Sequence, residues 1–161
     1  MSRIAEIKWN DVGNGPGINV SVFMQGCHFH CPGCFNSCTW DFNGGTLADD
    51  STIDSIIAGL SKNNVKRNLS ILGGEPLAPE NRDFVYKLIQ KVREKYPNIE
   101  IWMWTGYELT ELTKENNASV KGILTMINSL ITGRFILEQR DLRLRYMGSK
   151  NQKLLKRGID F

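Results

Sequence analysis

The amino-acid sequence predicts an α/β fold, either a partial (β/α) barrel or an open, mostly parallel sheet. Short runs of β-branched and aromatic residues alternate with longer segments in which apolar residues recur every three or four positions. This alternation indicates right-handed crossovers between parallel strands. The chain has 161 residues, whereas a closed eight-fold barrel needs about 250, so we expect the barrel to be incomplete or the sheet to be open.

Short apolar segments are expected to form the strands. Val, Ile and aromatic residues favour extended structure, and the first four of these segments are each followed by a stretch that contains glycine. The four strands of the parallel sheet are predicted at Ile18–Met24, Asn68–Leu72, Glu100–Trp104 and Ser129–Thr132, with an additional edge strand at Ile4–Trp9.

Helices are expected between the strands, at Asp50–Lys62, Pro79–Tyr96, Leu109–Asn116 and Val120–Met126. The first carries an apolar stripe over 53–60 and the second one over 84–92, and we expect both stripes to belong to the core. Ser51 and Asp54 have the spacing of a capping box at the start of the first helix.

The composition is that of a single globular domain. Hydrophobic residues make up 41% and charged residues 23%, so we expect one domain over 1–161, with a basic C-terminal segment from about residue 136. A net charge of +3 is too small to indicate nucleic acid as a main partner. The sequence has no apolar run of about 18 residues, and its charged N-terminus is unlike a signal peptide. We therefore expect no membrane partner and a cytoplasmic location.

The cysteines are concentrated in one short segment, which is typical of a metal site rather than a disulfide framework. They are Cys27, Cys31, Cys34 and Cys38. A zinc finger would have a second ligand pair further along the chain, and bacterial ferredoxins use the pattern C-x2-C-x2-C-x3-C-P. Here the first gap is three residues and Thr39 follows the last cysteine. The spacing favours three ligands, with Cys38 as a free thiol.

Three thiolates on a [4Fe–4S] cluster leave one iron open, and an open position is typical of a catalytic rather than a structural metal site. The two histidines, His28 and His30, lie inside the first cysteine gap and are expected to be exposed loop residues rather than ligands. The unusual segments GCHFHCPGC, GGEP, TGY and TGRF each follow a predicted strand. The carboxyl ends of parallel strands share one edge of a sheet, so we expect these four segments to converge there.

A C-x3-C-x2-C motif after the first parallel strand is the signature of radical S-adenosylmethionine (SAM) enzymes, and five segments carry a closer resemblance. They are Asn14–Asn36, Leu72–Leu77, Trp104–Tyr107, Leu130–Phe135 and Arg145–Gln152. In this order they resemble the family of anaerobic ribonucleoside-triphosphate reductase-activating proteins, which are glycyl-radical enzyme activases of the radical SAM type. The resemblance covers nearly the whole chain.

The resemblance implies a [4Fe–4S] cluster and SAM as cofactors. Cys27, Cys31 and Cys34 would ligate the cluster. The SAM contacts implied by the family are Gly73, Gly74 and Glu75 for the amino group, and Gly33, Cys34 and Phe35 beside the adenine. An external one-electron donor would drive SAM cleavage, and the resulting radical would take a hydrogen atom from a glycine of the reductase, the protein substrate. The cofactors carry this chemistry, so no catalytic acid or base is expected.

The sequence departs from the family pattern at Asn128 and Thr132, where the family often has acidic residues. Three alternatives stay open at this point. The first alternative is another radical SAM enzyme, the second is a four-cysteine iron–sulfur electron-transfer protein, and the third is a zinc-binding interaction module. The basic C-terminal segment is compatible with docking on an acidic reductase surface. The oligomeric state, including a homodimer, is not determined by the sequence.

Overall fold

An open seven-stranded sheet forms the centre of the protein in the computed structural model, which describes all of residues 1–161. In chain order the strands are β1 (Arg3–Asp11), β2 (Asn19–Gln25), β3 (Thr46–Leu47), β4 (Asn68–Gly73), β5 (Ile101–Trp104), β6 (Ser129–Thr132) and β7 (Lys153–Lys156). Their order across the sheet is β3-β1-β2-β4-β5-β6-β7. The sheet is not closed, so of the two expected architectures the open sheet is the one observed.

The four central strands, β2, β4, β5 and β6, run parallel, and the outer strands are antiparallel to their neighbours. All seven residues of β2 are buried, which is expected for a parallel strand covered by structure on both faces. The predicted α/β class and parallel centre are therefore confirmed. The structure adds two antiparallel strands, β3 and β7, that the sequence pattern did not reveal.

Four helices cover the sheet, namely α1 (Asp50–Gly59), α2 (Arg82–Lys95), α3 (Leu109–Glu115) and α4 (Ala118–Met126). Short 3-10 turns lie at Ser37–Thr39, Lys62–Asn64 and Leu137–Gln139. None of the helices combines the length and hydrophobicity needed to cross a membrane. The predicted helices are all present, although α2 begins three residues after the predicted Pro79 and α1 ends three residues before Lys62.

The capping box of α1 differs from the predicted pair Ser51 and Asp54. Asp49 is the N-cap, its carboxylate accepts a hydrogen bond from the Thr52 amide at 3.0 Å, and the Thr52 hydroxyl accepts one from the Asp49 amide at 3.2 Å. Ser51 lies inside the first turn and donates its hydroxyl to Asp49 at 2.6 Å. Aspartate is as good an N-cap as serine, so the predicted box was wrong and the helix is capped two residues earlier, at Asp49.

The core is built from the stripes that the periodicity predicted. Val85, Leu88, Ile89 and Val92 of α2 are fully buried, while Phe84 at the stripe edge is half-buried. The predicted edge strand Ile4–Trp9 is longer in the structure and is not the outermost strand, because the two-residue β3 pairs with its outer side.

Shortening Leu88 tests the packing of α2 on the sheet. Leu88→Ala should lower the free energy of unfolding by about 2–5 kcal/mol, because it leaves a cavity at a fully buried position. Gln90→Ala, at an exposed position of the same helix, should change it by less than about 0.5 kcal/mol. Urea denaturation measures both, and equal effects would contradict the described packing.

Candidate iron–sulfur site

A cavity of about 460 Å³ lies at the carboxyl ends of the four parallel strands. This volume is within the range of roughly 300–1,000 Å³ that small-molecule sites occupy. Each of the four strand-end segments contributes to the lining, chiefly through Cys27, Cys31, Cys34 and Phe35, then Gly73, Gly74 and Glu75, then Thr105 and Gly106, and finally Gly133, Arg134 and Phe135. The expected convergence of these segments at one edge of the sheet is confirmed.

The cysteine loop is held against the following segment directly after β2. The Gly26 amide donates to the Thr39 carbonyl at 2.7 Å, and the Cys27 amide donates to the Trp40 carbonyl at 3.1 Å. Gly26 has φ +99°, and a β-carbon there would lie 2.1 Å from the Phe42 ring. Only glycine fits this turn, which places Cys27 at the end of the strand.

Three of the four thiols line the cavity and the fourth does not. Cys27 is buried, Cys31 and Cys34 are half-buried, and Cys38 is exposed outside the cavity. Burial raises the pKa of the Cys27 and Cys31 thiols, because a thiolate loses hydration there. These thiolates would be stabilised by a positively charged iron centre.

Thiolates build two kinds of metal site, single-ion zinc sites and iron–sulfur clusters. No three Cys, His, Asp or Glu side chains come together as ligands of a single ion, as a tetrahedral zinc site requires. A cluster, by contrast, distributes its cysteine ligands over different irons. The three thiols line one cavity without forming a ligand group for a single ion, and a cluster, whose irons each take one cysteine, fits this arrangement.

Both histidines lie outside the cavity lining, although His30 packs on one of the lining residues, Trp40. The His28 Nε2 atom lies 2.9 Å from Glu80 Oε1, and the His30 ring stacks on Trp40 with 4.6 Å between centroids. Neither residue lines the cavity; both border a neighbouring groove on the other side of Cys27. Their exclusion from the ligand set stays a prediction.

Glu75 is a buried carboxylate that joins two of the cavity loops. It is only 2% exposed, and it accepts hydrogen bonds from the Leu77 amide at 2.9 Å, the Thr105 hydroxyl at 2.8 Å and the Gly106 amide at 2.7 Å. Burial raises its pKa to about 7, despite these three donors. A carboxylate has about four acceptor positions, so most of its capacity is used within the protein.

The two glycines before Glu75 are needed for close packing of loops. Gly73 has φ +104°, and a β-carbon on Gly74 would lie 2.4 Å from the Gly26 carbonyl oxygen. Both line the cavity, as does the exposed Phe35, whose ring packs on Phe135 with 5.2 Å between centroids. Gly33 is different, because it lies against Leu137 and is not part of the cavity lining.

The sequence reasoning missed a wall of the cavity that comes from the C-terminal segment. Tyr146, Met147, Gly148 and Gln152 line it, together with Lys8 and Asn14 from the N-terminal part. The Gln152 side chain accepts from the Gly148 amide at 2.8 Å and donates to the Gly133 carbonyl at 2.9 Å. The segment Arg145–Gln152 carried the family resemblance, but it has no periodicity that would place it at the cavity.

The two departures from the family pattern have different surroundings. Asn128, at the amino end of β6, accepts hydrogen bonds from Arg93 Nη2 at 2.6 Å and from the Ile101 amide at 2.9 Å. It does not line the cavity. Thr132 is buried at the other end of the strand, and its hydroxyl has no hydrogen-bond partner.

Comparison with known proteins supports an iron–sulfur site. Residues 13–155 match the family model described as a 4Fe-4S single cluster domain. The chain is 40% identical over 143 residues to the anaerobic ribonucleoside-triphosphate reductase-activating protein of Escherichia coli (strain K12), covering 88% of this chain and 90% of that protein. The protein of the same name from Vibrio cholerae is 41% identical, covering 88% of this chain and 90% of that protein. The one from Enterobacteria phage T4 is 33% identical, covering 89% of this chain and 87% of that protein.

The class defined by the family model is that of single-cluster 4Fe-4S domains, in agreement with the iron–sulfur cofactor that the cysteine spacing predicts. Within that class, the chain belongs to the family of anaerobic ribonucleoside-triphosphate reductase-activating proteins.

The raised pKa of Glu75 gives a signed pH dependence of stability. Between about pH 4.5 and pH 7 the unfolded chain loses the proton of Glu75 while the folded chain retains it. Stability contributed by this group therefore falls as the pH rises, by about 3 kcal/mol for a shift of this size. Glu75→Gln removes this titration, so the variant does not lose the stability that wild type loses as the pH rises. The free energy of unfolding of the variant minus that of wild type should therefore increase by roughly this amount from pH 4.5 to pH 8.

Urea denaturation of the iron-free, reduced protein across this pH range measures the effect without interference from a cofactor. Glu94→Gln, at an exposed position of α2, is the matched control and should follow wild type. A constant difference between Glu75→Gln and wild type at all pH values would show that Glu75 does not titrate as described.

Proposed function

We propose that this protein is a radical SAM activase that cleaves SAM reductively to generate a glycyl radical on an anaerobic ribonucleoside-triphosphate reductase. The observation that carries the proposal is that Cys27, Cys31 and Cys34 line one cavity at the strand ends while Cys38 lies outside it. The names of the relatives supply the protein substrate.

Cys27, Cys31 and Cys34 would hold the [4Fe–4S] cluster. When bound, the cluster would supply one electron, received from an external donor, for the reductive cleavage of SAM to methionine and a 5′-deoxyadenosyl radical. That radical would remove a hydrogen atom from a glycine of the reductase. The remaining contributions of the chain are binding, orientation and exclusion of water. We assign no acid or base.

The chemistry of the cavity wall suits a zwitterionic amino-acid group joined to an adenosine. Lys8 and Arg134 are its cationic lining residues and Glu75 is its acidic one. We assign the amino group of SAM to the Gly73, Gly74 and Glu75 segment. Because Glu75 already accepts three internal hydrogen bonds, its main contribution is to position the backbone of that segment.

Aromatic side chains form another part of the wall, and the adenine is assigned to them. Phe35 and Phe135 pack together there, next to Cys34. Gly33 does not line the cavity, so we assign it an indirect contribution. It allows the turn, with φ +75°, that brings Cys34 and Phe35 to the wall. We treat residues 1–161 as one domain that carries the whole site.

Cysteine variants test this assignment. After anaerobic reconstitution with iron and sulfide and reduction with dithionite, wild type should produce 5′-deoxyadenosine and methionine from SAM. Cys27→Ala, Cys31→Ala and Cys34→Ala should each lose a ligand and abolish production, whereas Cys38→Ala should retain it, because Cys38 is outside the cavity. Addition of the reductase should then yield a glycyl radical detectable by electron paramagnetic resonance.

The control is the iron content of each variant, measured beside its activity. Loss of the cluster in Cys38→Ala would support the four-cysteine electron-transfer alternative. A wild-type protein with a complete, reducible cluster that leaves SAM intact even with the reductase present would contradict the proposal.

A further inference from the structure

The segment Gln139–Lys150, here called the cationic hairpin, folds back on itself beside the cavity. Arg140 and Ser149 form an antiparallel β-bridge, and the Lys150 amide donates to the Gln139 carbonyl at 2.9 Å. The returning arm contributes Tyr146, Met147 and Gly148 to the cavity wall. A partner that reaches the cavity from this side must therefore pass the hairpin.

The hairpin carries the whole charge excess of the protein. It has four cationic residues and one acidic residue, Arg140, Arg143, Arg145 and Lys150 against Asp141, a net charge of +3. The complete chain has 20 Lys and Arg and 17 Asp and Glu, also +3, so the other residues contribute 16 of each sign. The excess of positive charge is therefore concentrated in this segment, beside the cavity.

Two of these cations have no acidic partner. Arg143 pairs with Asp141 through two hydrogen bonds of 2.9 and 2.8 Å, and the Lys150 ammonium is 4.0 Å from the same carboxylate. Arg140 and Arg145 make no ion pair within the protein. Both are exposed, and their guanidinium groups lie over the rings of two cavity residues, Phe35 at 5.2 Å and Tyr146 at 5.0 Å.

Large apolar side chains are exposed among these cations. Leu142 at the hairpin tip is 78% exposed, and the adjacent Phe35 and Leu137 are 58% and 45% exposed. Apolar anchors next to arginines are typical of protein interfaces, in which aromatic residues and arginine carry much of the binding free energy. A nucleic-acid surface would instead use its cations to contact phosphates and would add polar side chains that contact base edges.

We propose that the cationic hairpin is the docking surface for the protein substrate, and that it binds a segment of the reductase that combines acidic and apolar side chains. The inference rests on the proposed function, because it takes the reductase as the partner. Arg140 and Arg145 supply the charge complementarity, which accelerates association. Leu142 supplies apolar surface that is buried on binding, which slows dissociation.

Binding of the anaerobically reconstituted protein, without SAM or reductant, to the reductase of the same organism tests this surface independently of catalysis. Arg140→Glu/Arg145→Glu should weaken binding about tenfold or more, mainly through slower association, and should reduce its dependence on salt. Arg140→Gln/Arg145→Gln should have a smaller effect of the same kind. Leu142→Ala should accelerate dissociation.

Lys66→Glu/Lys91→Glu is the matched control, because it makes the same change of charge at exposed positions that form no ion pair. It should bind within about twofold of wild type. Reconstituted Arg140→Glu/Arg145→Glu should still cleave SAM without the reductase, because neither residue lines the cavity. Retained cleavage with lost binding assigns the defect to docking.

Equal binding by the hairpin and control variants would overturn the docking surface and leave the proposed function intact. A wild-type protein that neither binds the reductase nor forms its glycyl radical would overturn both. A third outcome assigns the hairpin to nucleic acid instead. In that case wild type binds a random-sequence RNA and Arg140→Glu/Arg145→Glu does not, whereas the variant binds the reductase as tightly as wild type does.

Discussion

The carboxylate of Glu75 is the interaction on which the rest of the site depends. It is buried at the end of β4 and accepts hydrogen bonds from Thr105 and Gly106 at the end of β5. Parallel pairing brings these strand ends to one edge, but pairing alone does not determine how the loops beyond the strands are arranged. Glu75 supplies that constraint, and the Gly74 backbone packs against Gly26, just before the first cysteine.

This arrangement has an energetic cost that the core must offset. A carboxylate and a thiol are buried at one cavity, and burial raises the pKa of both Glu75 and Cys27. Buried ionisable groups with raised pKa values are typical of functional sites rather than of stable cores. The fully buried apolar residues of the sheet and of α2 provide the compensating stability. The cavity is therefore best understood as a destabilising feature retained for binding.

The sequence predicted the parts of the fold that have strong local signals. Periodicity identified the parallel strands and the buried stripe of α2, and strand-end placement predicted that the cysteine loop and the Gly73–Glu75 segment would meet. It did not identify β7 or the cationic hairpin, because their structure depends on pairing with β6 and on the Gln152 side chain rather than on local pattern. The sequence led us to expect that Glu75 contacts a ligand. The structure shows instead that its carboxylate accepts three hydrogen bonds from donors within the protein.

Mössbauer spectroscopy of the iron-57 reconstituted protein tests most directly whether three cysteines hold a cluster with one open iron. We predict that SAM changes the signal of one iron in four and leaves the other three unchanged. Cys38→Ala should give the same spectra as wild type. Four irons that do not respond to SAM, together with loss of the cluster in Cys38→Ala, would contradict the account.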